Sequence, residues 1–80
     1  MTNEEILTKI TDVVRDELDE DDIVLTPETK ARDVEGWDSL AHVRIVVAVE
    51  QEFGVRFDMA EITNLDSVGD LVTLVQTTAG

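Results

Sequence analysis

The segment Asp38–His42 contains the residue types of a hydrolytic site. Ser39 and His42 are three positions apart, so on a helix their side chains could approach each other, and Asp38 precedes the serine. The start of a helix is a poor place for this chemistry, because its dipole favours neutral His42 and Asp38 is better used to cap backbone N–H groups. A chain this small also lacks room for the cleft and oxyanion hole of such an enzyme. We therefore expect no catalytic residue here.

Ser39 has a second use that needs no activation by the chain itself. A hydroxyl at the first position of a helix is exposed beside unpaired N–H groups and the positive end of the helix dipole, which suits an attached phosphate. Since the chain lacks Cys, such an attachment could supply a thiol on an arm installed by another enzyme. A serine here is also an ordinary helix-start residue. The residues alone leave both interpretations open.

The acidic segment 16–22 suggests a calcium loop, but its spacing does not fit one. An EF-hand loop that began at Asp16 would need Gly at its sixth position and Glu at its twelfth, where the sequence has Asp21 and Pro27. Paired carboxylates for acid–base catalysis are poorly supported too, because 19 acidic residues among 80 produce such pairs by chance. We expect a solvated charge run and no metal site.

The composition excludes several other classes of function. The chain has 19 acidic and 6 basic residues, and its formal net charge of −13 repels nucleic acid and anionic lipid. The absence of Cys excludes thiol nucleophiles and thiolate metal sites, and the single His excludes a site with two imidazoles. The first residues do not resemble a signal peptide, and no apolar run reaches membrane length. We expect a cytoplasmic monomer that binds no nucleic acid and does not insert into a membrane.

The element that positions Ser39 is predicted to be a helix over residues 39–53. Asp38 is a favourable N-cap for it, and Gly54 can cap its end. Its apolar residues are too numerous for one face, so a second stripe is either enclosed by other elements or exposed for a partner. That second stripe consists of Leu40, Val43 and Val47.

Three further helices complete a predicted all-α, compact four-helix bundle in one domain of residues 1–80. Apolar periodicity places the first helix at 3–18 and a last helix after Ser67, and Asp58 could cap a single helical turn over 59–62, which the family resemblance described below extends to a short third helix at 59–64. In the long loop over residues 23–37, Trp37 is expected to plug the core. The residues expected to form most of that core are Ile6, Ile10, Val13, Val14, Ile45, Val46, Val49, Phe53, Val68, Leu71 and Val75.

A longer motif surrounds Ser39. It consists of Gly36-Trp37-Asp38-Ser39-Leu40 followed by Ile45-Val46-Val47-Ala48-Val49-Glu50-Gln51-Glu52-Phe53. With this motif the sequence resembles the acyl carrier protein family, in which Asp-Ser-Leu begins the second helix and a Glu-rich end with a Phe follows. The resemblance extends over nearly the whole chain and implies the family's four-helix fold.

The resemblance implies a carrier and not an enzyme. Ser39 matches the serine that receives 4′-phosphopantetheine from coenzyme A, and Asp38 matches the acidic residue that assists recognition by the phosphopantetheinyl transferase. The carried acyl group would be a thioester on the arm, loaded by an acyl-activating ligase or by a synthase or acyltransferase. Positions implied to face partner enzymes or to border the arm are Leu40, Val43, Arg44, Val47 and Ile62.

Three residues depart from the fatty-acid type of this family. Trp37 stands where a small residue is common, Arg44 stands where the residue is often acidic, and His42 could add a second cation. Acidic recognition along this helix is therefore diluted, and the sequence is more similar to specialised carriers that serve dedicated polyketide, lipid or aminoacyl pathways. The alternative is an unmodified acidic helical module that binds a basic protein partner.

Overall fold

The computed structural model describes residues 2–79, and all regular structure in that range is helical. The elements are α1 (Asn3–Leu18), a 3-10 turn (Ala31–Asp33), α2 (Ser39–Phe53), α3 (Met59–Thr63) and α4 (Val68–Ala79). The predicted all-α class, with three long helices and one short helix, is confirmed. The single domain over residues 1–80 stays a prediction, and its first and last residues lie outside the described range.

Helix α1 begins and ends with caps made by its own flanking residues. The Thr2 hydroxyl accepts a hydrogen bond from the backbone N–H of Glu5 at 3.1 Å, and the Glu5 carboxylate accepts one from the N–H of Thr2 at 2.9 Å. The hydrogen bond from the Thr2 N–H to the Glu5 carboxylate contributes most to holding the pKa of Glu5 below its usual 4.5, and the Thr2 side chain lowers it further. At the other end, Asp19 adopts a left-handed conformation with φ 54°. The capping box that the Thr2–Glu5 spacing indicates is thus present.

The long loop after α1 is attached to the start of α4. The N–H of Thr29 donates to the carbonyl of Thr26 at 3.0 Å and closes a turn. The N–H groups of Val68 and Gly69 donate to the carbonyls of Thr29 and Pro27, each at 2.8 Å. A Cβ atom at Gly69 would lie 2.7 Å from the Pro27 carbonyl oxygen, so this close approach requires glycine. The loop is therefore held to the start of α4.

Helix α2 is bounded by the two predicted caps. The Asp38 side chain accepts a hydrogen bond from the N–H of Ala41 at 2.8 Å. Gly54 adopts φ 66° and donates its N–H to the carbonyl of Glu50, which ends the helix. The Glu50 carboxylate also accepts the N–H of Phe57 at 2.7 Å and draws that buried ring towards the core. Both ends of α2 are fixed, and with them the position of its first residue.

The core is mostly the predicted one, with two corrections and several additions. Val13 and Phe53 are only partly buried, because Val13 lies on the flank of the α1 stripe and Phe53 is the last residue of α2. Trp37 is 8% exposed, which confirms its role as a core plug. The buried apolar residues are Ile6, Ile10, Val14, Leu25, Trp37, Ala41, Ile45, Val46, Val49, Phe57, Val68, Leu71, Val72 and Val75.

Candidate functional site

Ser39 is exposed at the first position of α2. Asp38 before it is extended, with φ −94° and ψ −172°, so the chain changes direction between the two residues and the serine lies at the surface. The Asp38 carboxylate uses one oxygen to cap Ala41. The backbone N–H groups of Ser39 and Leu40 receive no partner from residues 2–79, as expected for the first turn of a helix. A hydroxyl, unpaired N–H groups and a carboxylate therefore meet at one exposed point.

His42 does not form a catalytic pair with Ser39. Its Nδ1 accepts a hydrogen bond from the Trp37 indole at 3.1 Å, and its Nε2 faces the carbonyl of Ile62 at 3.5 Å. The Trp37 and His42 rings are stacked, with centroids 6.1 Å apart. Both imidazole nitrogens are thus directed towards the loop and α3 rather than towards the serine, which leaves Ser39 without a general base.

An apolar surface extends along α2 from Ser39. Its three residues Leu40, Val43 and Val47, which we call the α2 apolar face, have exposed fractions of 73%, 58% and 44%. The second stripe of the helix is therefore exposed and not enclosed. Met59, the first residue of α3, is also exposed, with an exposed fraction of 76%. The sequence indicates this exposure only through the position of Met59 as the first residue of a very short helix.

The charged residues of α2 are engaged within the molecule. Arg44 Nε lies 3.7 Å from Glu17 Oε1 on α1, and Glu52 Oε2 lies 3.6 Å from Lys9 Nζ. The carboxylate of Glu50, the other acid of this helix, accepts a hydrogen bond from the N–H of Phe57. The sequence of α2 has no acidic residue from Ser39 to Val49, the stretch that includes the α2 apolar face.

A surface groove of about 390 Å³ lies beside Ser39 on the side of α3. Trp37 and His42 form its inner wall, and Ile62 and Leu65 contribute apolar side chains. Ile62, which the resemblance implies to border the arm, is partly buried and lines the same groove as Ser39.

The acidic segment 16–22 is a surface feature, with residues 19–22 exposed. Throughout the described residues, no three His, Asp or Glu side chains are grouped so that they could hold a metal ion. In the same range, none of the helices is both long enough and apolar enough to cross a membrane.

Comparison with known proteins places this geometry in a family. A family described as "Phosphopantetheine attachment site" matches residues 8–75. The acyl carrier protein of Thermotoga maritima is 35% identical over 79 residues, which cover 99% of this chain and 98% of that protein. Acyl carrier protein 3 of Ralstonia nicotianae is 36% identical, with 95% and 87% covered. The solution NMR structure of the holo acyl carrier protein from Geobacter metallireducens superposes with a TM-score of 0.84 and 40% identity, covering 91% of this chain and 84% of that one.

These matches and the four-helix fold define a carrier protein and not an enzyme. The chain belongs to the acyl carrier protein family, and its cofactor is covalently attached 4′-phosphopantetheine.

Proposed function

We propose that Ser39 Oγ carries the 4′-phosphopantetheine arm as a phosphodiester and that acyl groups travel on this arm as thioesters. The chain has two serines, and they differ in the use of their hydroxyls. Ser67 Oγ accepts the N–H of Asp70 at 3.3 Å and caps α4. Ser39 is exposed and makes no side-chain hydrogen bond with residues 2–79, and this difference is the observation that carries the proposal.

The residues around Ser39 fit a phosphate ester. The unpaired N–H groups of Ser39 and Leu40 and the positive end of α2 stabilise negative charge at this point. The groove beside α3 leaves room for the pantetheine chain. The arm supplies a flexible terminal thiol, which this chain without Cys does not provide itself.

Asp38 is proposed to assist recognition by the phosphopantetheinyl transferase. One of its oxygens is used in the cap to Ala41, and the other receives no hydrogen bond from the described residues. The carboxylate therefore serves the helix start and remains available beside the hydroxyl that the transferase modifies.

Partner enzymes are proposed to dock on the α2 apolar face. The proposed partners are the transferase and an acyl-activating ligase, synthase or acyltransferase of a dedicated lipid, polyketide or aminoacyl pathway. The dedicated role is supported by Arg44, which stands at a position that is often acidic in the fatty-acid type and pairs with Glu17 of α1. Within this proposal the chain acts as a cytoplasmic monomer.

Intact-mass measurement after co-expression with a broad-range phosphopantetheinyl transferase tests the proposal. We expect the mass to increase by one phosphopantetheine per chain. An unchanged mass, with a known carrier modified in the same cells, would contradict the proposal and favour the unmodified module that binds a basic protein.

A further inference from the structure

Arg32 is a basic side chain in the lining of the groove beside Ser39. It is the middle residue of the 3-10 turn in the long loop, and it is exposed. Among the described residues that line this groove, Arg32 is the only Lys or Arg and Asp38 is the only acid. The attachment residue and one guanidinium group therefore border the same surface groove.

The backbone around Arg32 is connected to the start of α2 by hydrogen bonds. The N–H of Val34 donates to the carbonyl of Ala31 at 3.0 Å and closes the 3-10 turn. The N–H of Trp37 donates to the carbonyl of Val34 at 3.2 Å, and the Trp37 side chain is buried in the core. Since Trp37 directly precedes the N-cap of α2, the position of the turn beside Ser39 is determined by the fold.

The guanidinium group of Arg32 is not engaged within residues 2–79, where it forms no ion pair and no hydrogen bond. Four of the six basic residues are engaged, in ion pairs or in a hydrogen bond to a backbone carbonyl: Lys9, Arg15, Lys30 and Arg44. Of the other two, Arg56 lies beyond the C-terminal end of α2 and Arg32 lies beside its N-terminal end. A free cation is thus present at the attachment point of a chain with a net charge of −13.

The proposed arm brings a phosphodiester, which is an anion, to this point. A guanidinium group presents several N–H donors in a planar fork, and this geometry matches the oxygens of a phosphate group. The new negative charge would also lie next to the Asp38 carboxylate, which repels it. A cation in the same groove opposes that repulsion, because opposite charges at close range stabilise each other.

We propose that Arg32 is a positioning residue for the prosthetic arm and that its guanidinium group binds the phosphodiester on Ser39 Oγ. The contact connects the long loop with the start of α2 in the holo form and offsets the repulsion from Asp38. The inference rests on the proposed attachment at Ser39.

A comparison of the apo and holo forms tests the inference, with Arg32→Gln, Arg32→Lys and Arg56→Gln measured beside the wild type. Arg56→Gln removes the same charge at the other end of α2 and is the matched control. The measured quantity is the Tm of the holo form minus that of the apo form at about 0.01 M salt, so that the effect of each substitution on the apo fold cancels. We expect Arg32→Gln to lower this difference by about 1–4 °C, Arg32→Lys to lower it less and Arg56→Gln to leave it unchanged.

NMR of the same samples reports on the guanidinium group directly. The Nε–H signal of Arg32, identified by its absence in Arg32→Lys, should shift between the apo and holo forms of the wild type. The Nε–H signal of Arg56 should stay in place.

Two results would overturn the inference. The first is a holo-minus-apo Tm difference that Arg32→Gln changes no more than Arg56→Gln does. The second is an Arg32 Nε–H signal that is the same in both forms. Slower modification of Arg32→Gln together with the first result would show that Arg32 acts on the transferase and not on the attached phosphate. An unchanged mass of the wild-type chain exposed to the transferase would refute attachment at Ser39, and the inference with it, before either readout is taken.

Discussion

At the scale of single residues, Asp38 has two tasks that variants can separate. Its carboxylate caps Ala41, and we propose that it also assists the transferase. The first task needs only an accepting oxygen, whereas the second needs the charge. Asn supplies the oxygen without the charge, and Ala supplies neither.

Replacing Asp38 by Ala should destabilise the protein by about 1 kcal/mol through loss of the cap and lower Tm by about 4–8 °C. Asp38→Asn should keep Tm within a degree or two of the wild type, because Asn is an equally good N-cap. Both variants should be modified more slowly by the transferase. Thermal unfolding measures the contribution of the cap, and the rate of mass increase measures recognition by the transferase. If Asp38→Asn were modified at the wild-type rate, Asp38 would act only as a cap.

Glu5 gives a prediction about pH. Hydrogen bonds from Thr2 lower its pKa in the folded state below the usual 4.5, so the ionised carboxylate stabilises the fold above that pH. This stabilisation is lost as pH falls through the lowered pKa. Urea unfolding from about pH 7 to about pH 3 should therefore show the stability difference between wild type and Glu5→Gln shrinking on acidification. A difference that stays constant over this range would contradict the assigned hydrogen bonds.

The caps of α2 could be predicted from the sequence, whereas the contacts of His42 could not. Asp38 and Gly54 could be assigned because a cap involves neighbours along the chain. The contacts of His42 could not, because one partner comes from the loop and the other is the Ile62 carbonyl, 20 residues away. Ser39 and His42 have helical spacing, but the indole of Trp37 takes the imidazole nitrogen that a catalytic serine would need.

At the scale of elements, α2 has a buried face and an exposed apolar face. The adjacent pair Val46 and Val47 shows the division, since Val46 is 1% exposed and Val47 is 44% exposed. The same substitution at these two positions should therefore have opposite consequences for folding and for docking.

We expect Val47→Glu to change the free energy of unfolding by no more than about 0.5 kcal/mol. It should weaken binding to the loading enzyme, because a charge replaces an apolar contact. The matched control Val46→Glu should prevent folding, since it places an unpaired carboxylate in the core. Circular dichroism and loading kinetics distinguish the two. Normal loading of folded Val47→Glu would argue against docking on the α2 apolar face.

The helices could be predicted from the sequence, and the packing of the irregular segments could not. Periodic apolar residues and local caps determine α1, α2 and α4 before any tertiary contact is considered. Leu25 and Phe57 are buried in segments with no period, through contacts such as the one between the Phe57 N–H and Glu50. The loop is attached by Gly69 to Pro27, a pairing of residues far apart in the sequence.

At the scale of the whole molecule, charge repulsion is the dominant electrostatic feature. The formal net charge of −13 lies on a body whose Cα extents are 30 × 24 × 22 Å. The screening length is about 30 Å at 0.01 M salt, so all acidic residues repel one another there, and it falls to about 8 Å at 0.15 M. Three ion pairs oppose this repulsion only weakly, because their groups are partly or largely exposed to water: Lys9–Glu52, Lys30–Asp66 and Arg44–Glu17.

Adding salt should therefore raise Tm. Differential scanning calorimetry between about 0.01 M and about 0.3 M NaCl should show a steady increase, and a divalent cation should act at lower concentration. A Tm that is constant or falls over this range would mean that the ion pairs outweigh the long-range repulsion.

The most direct measurement of the central claim compares the two serines. Wild type, Ser39→Ala and Ser67→Ala are each incubated with coenzyme A and a broad-range phosphopantetheinyl transferase, and their intact masses are recorded. Ser67→Ala removes only a helix cap and serves as the matched control. We predict that wild type and Ser67→Ala each gain one phosphopantetheine, whereas Ser39→Ala gains none. A modified Ser39→Ala chain, or a wild-type chain that remains unmodified beside a modified control carrier, would contradict the assignment of Ser39 as the attachment residue.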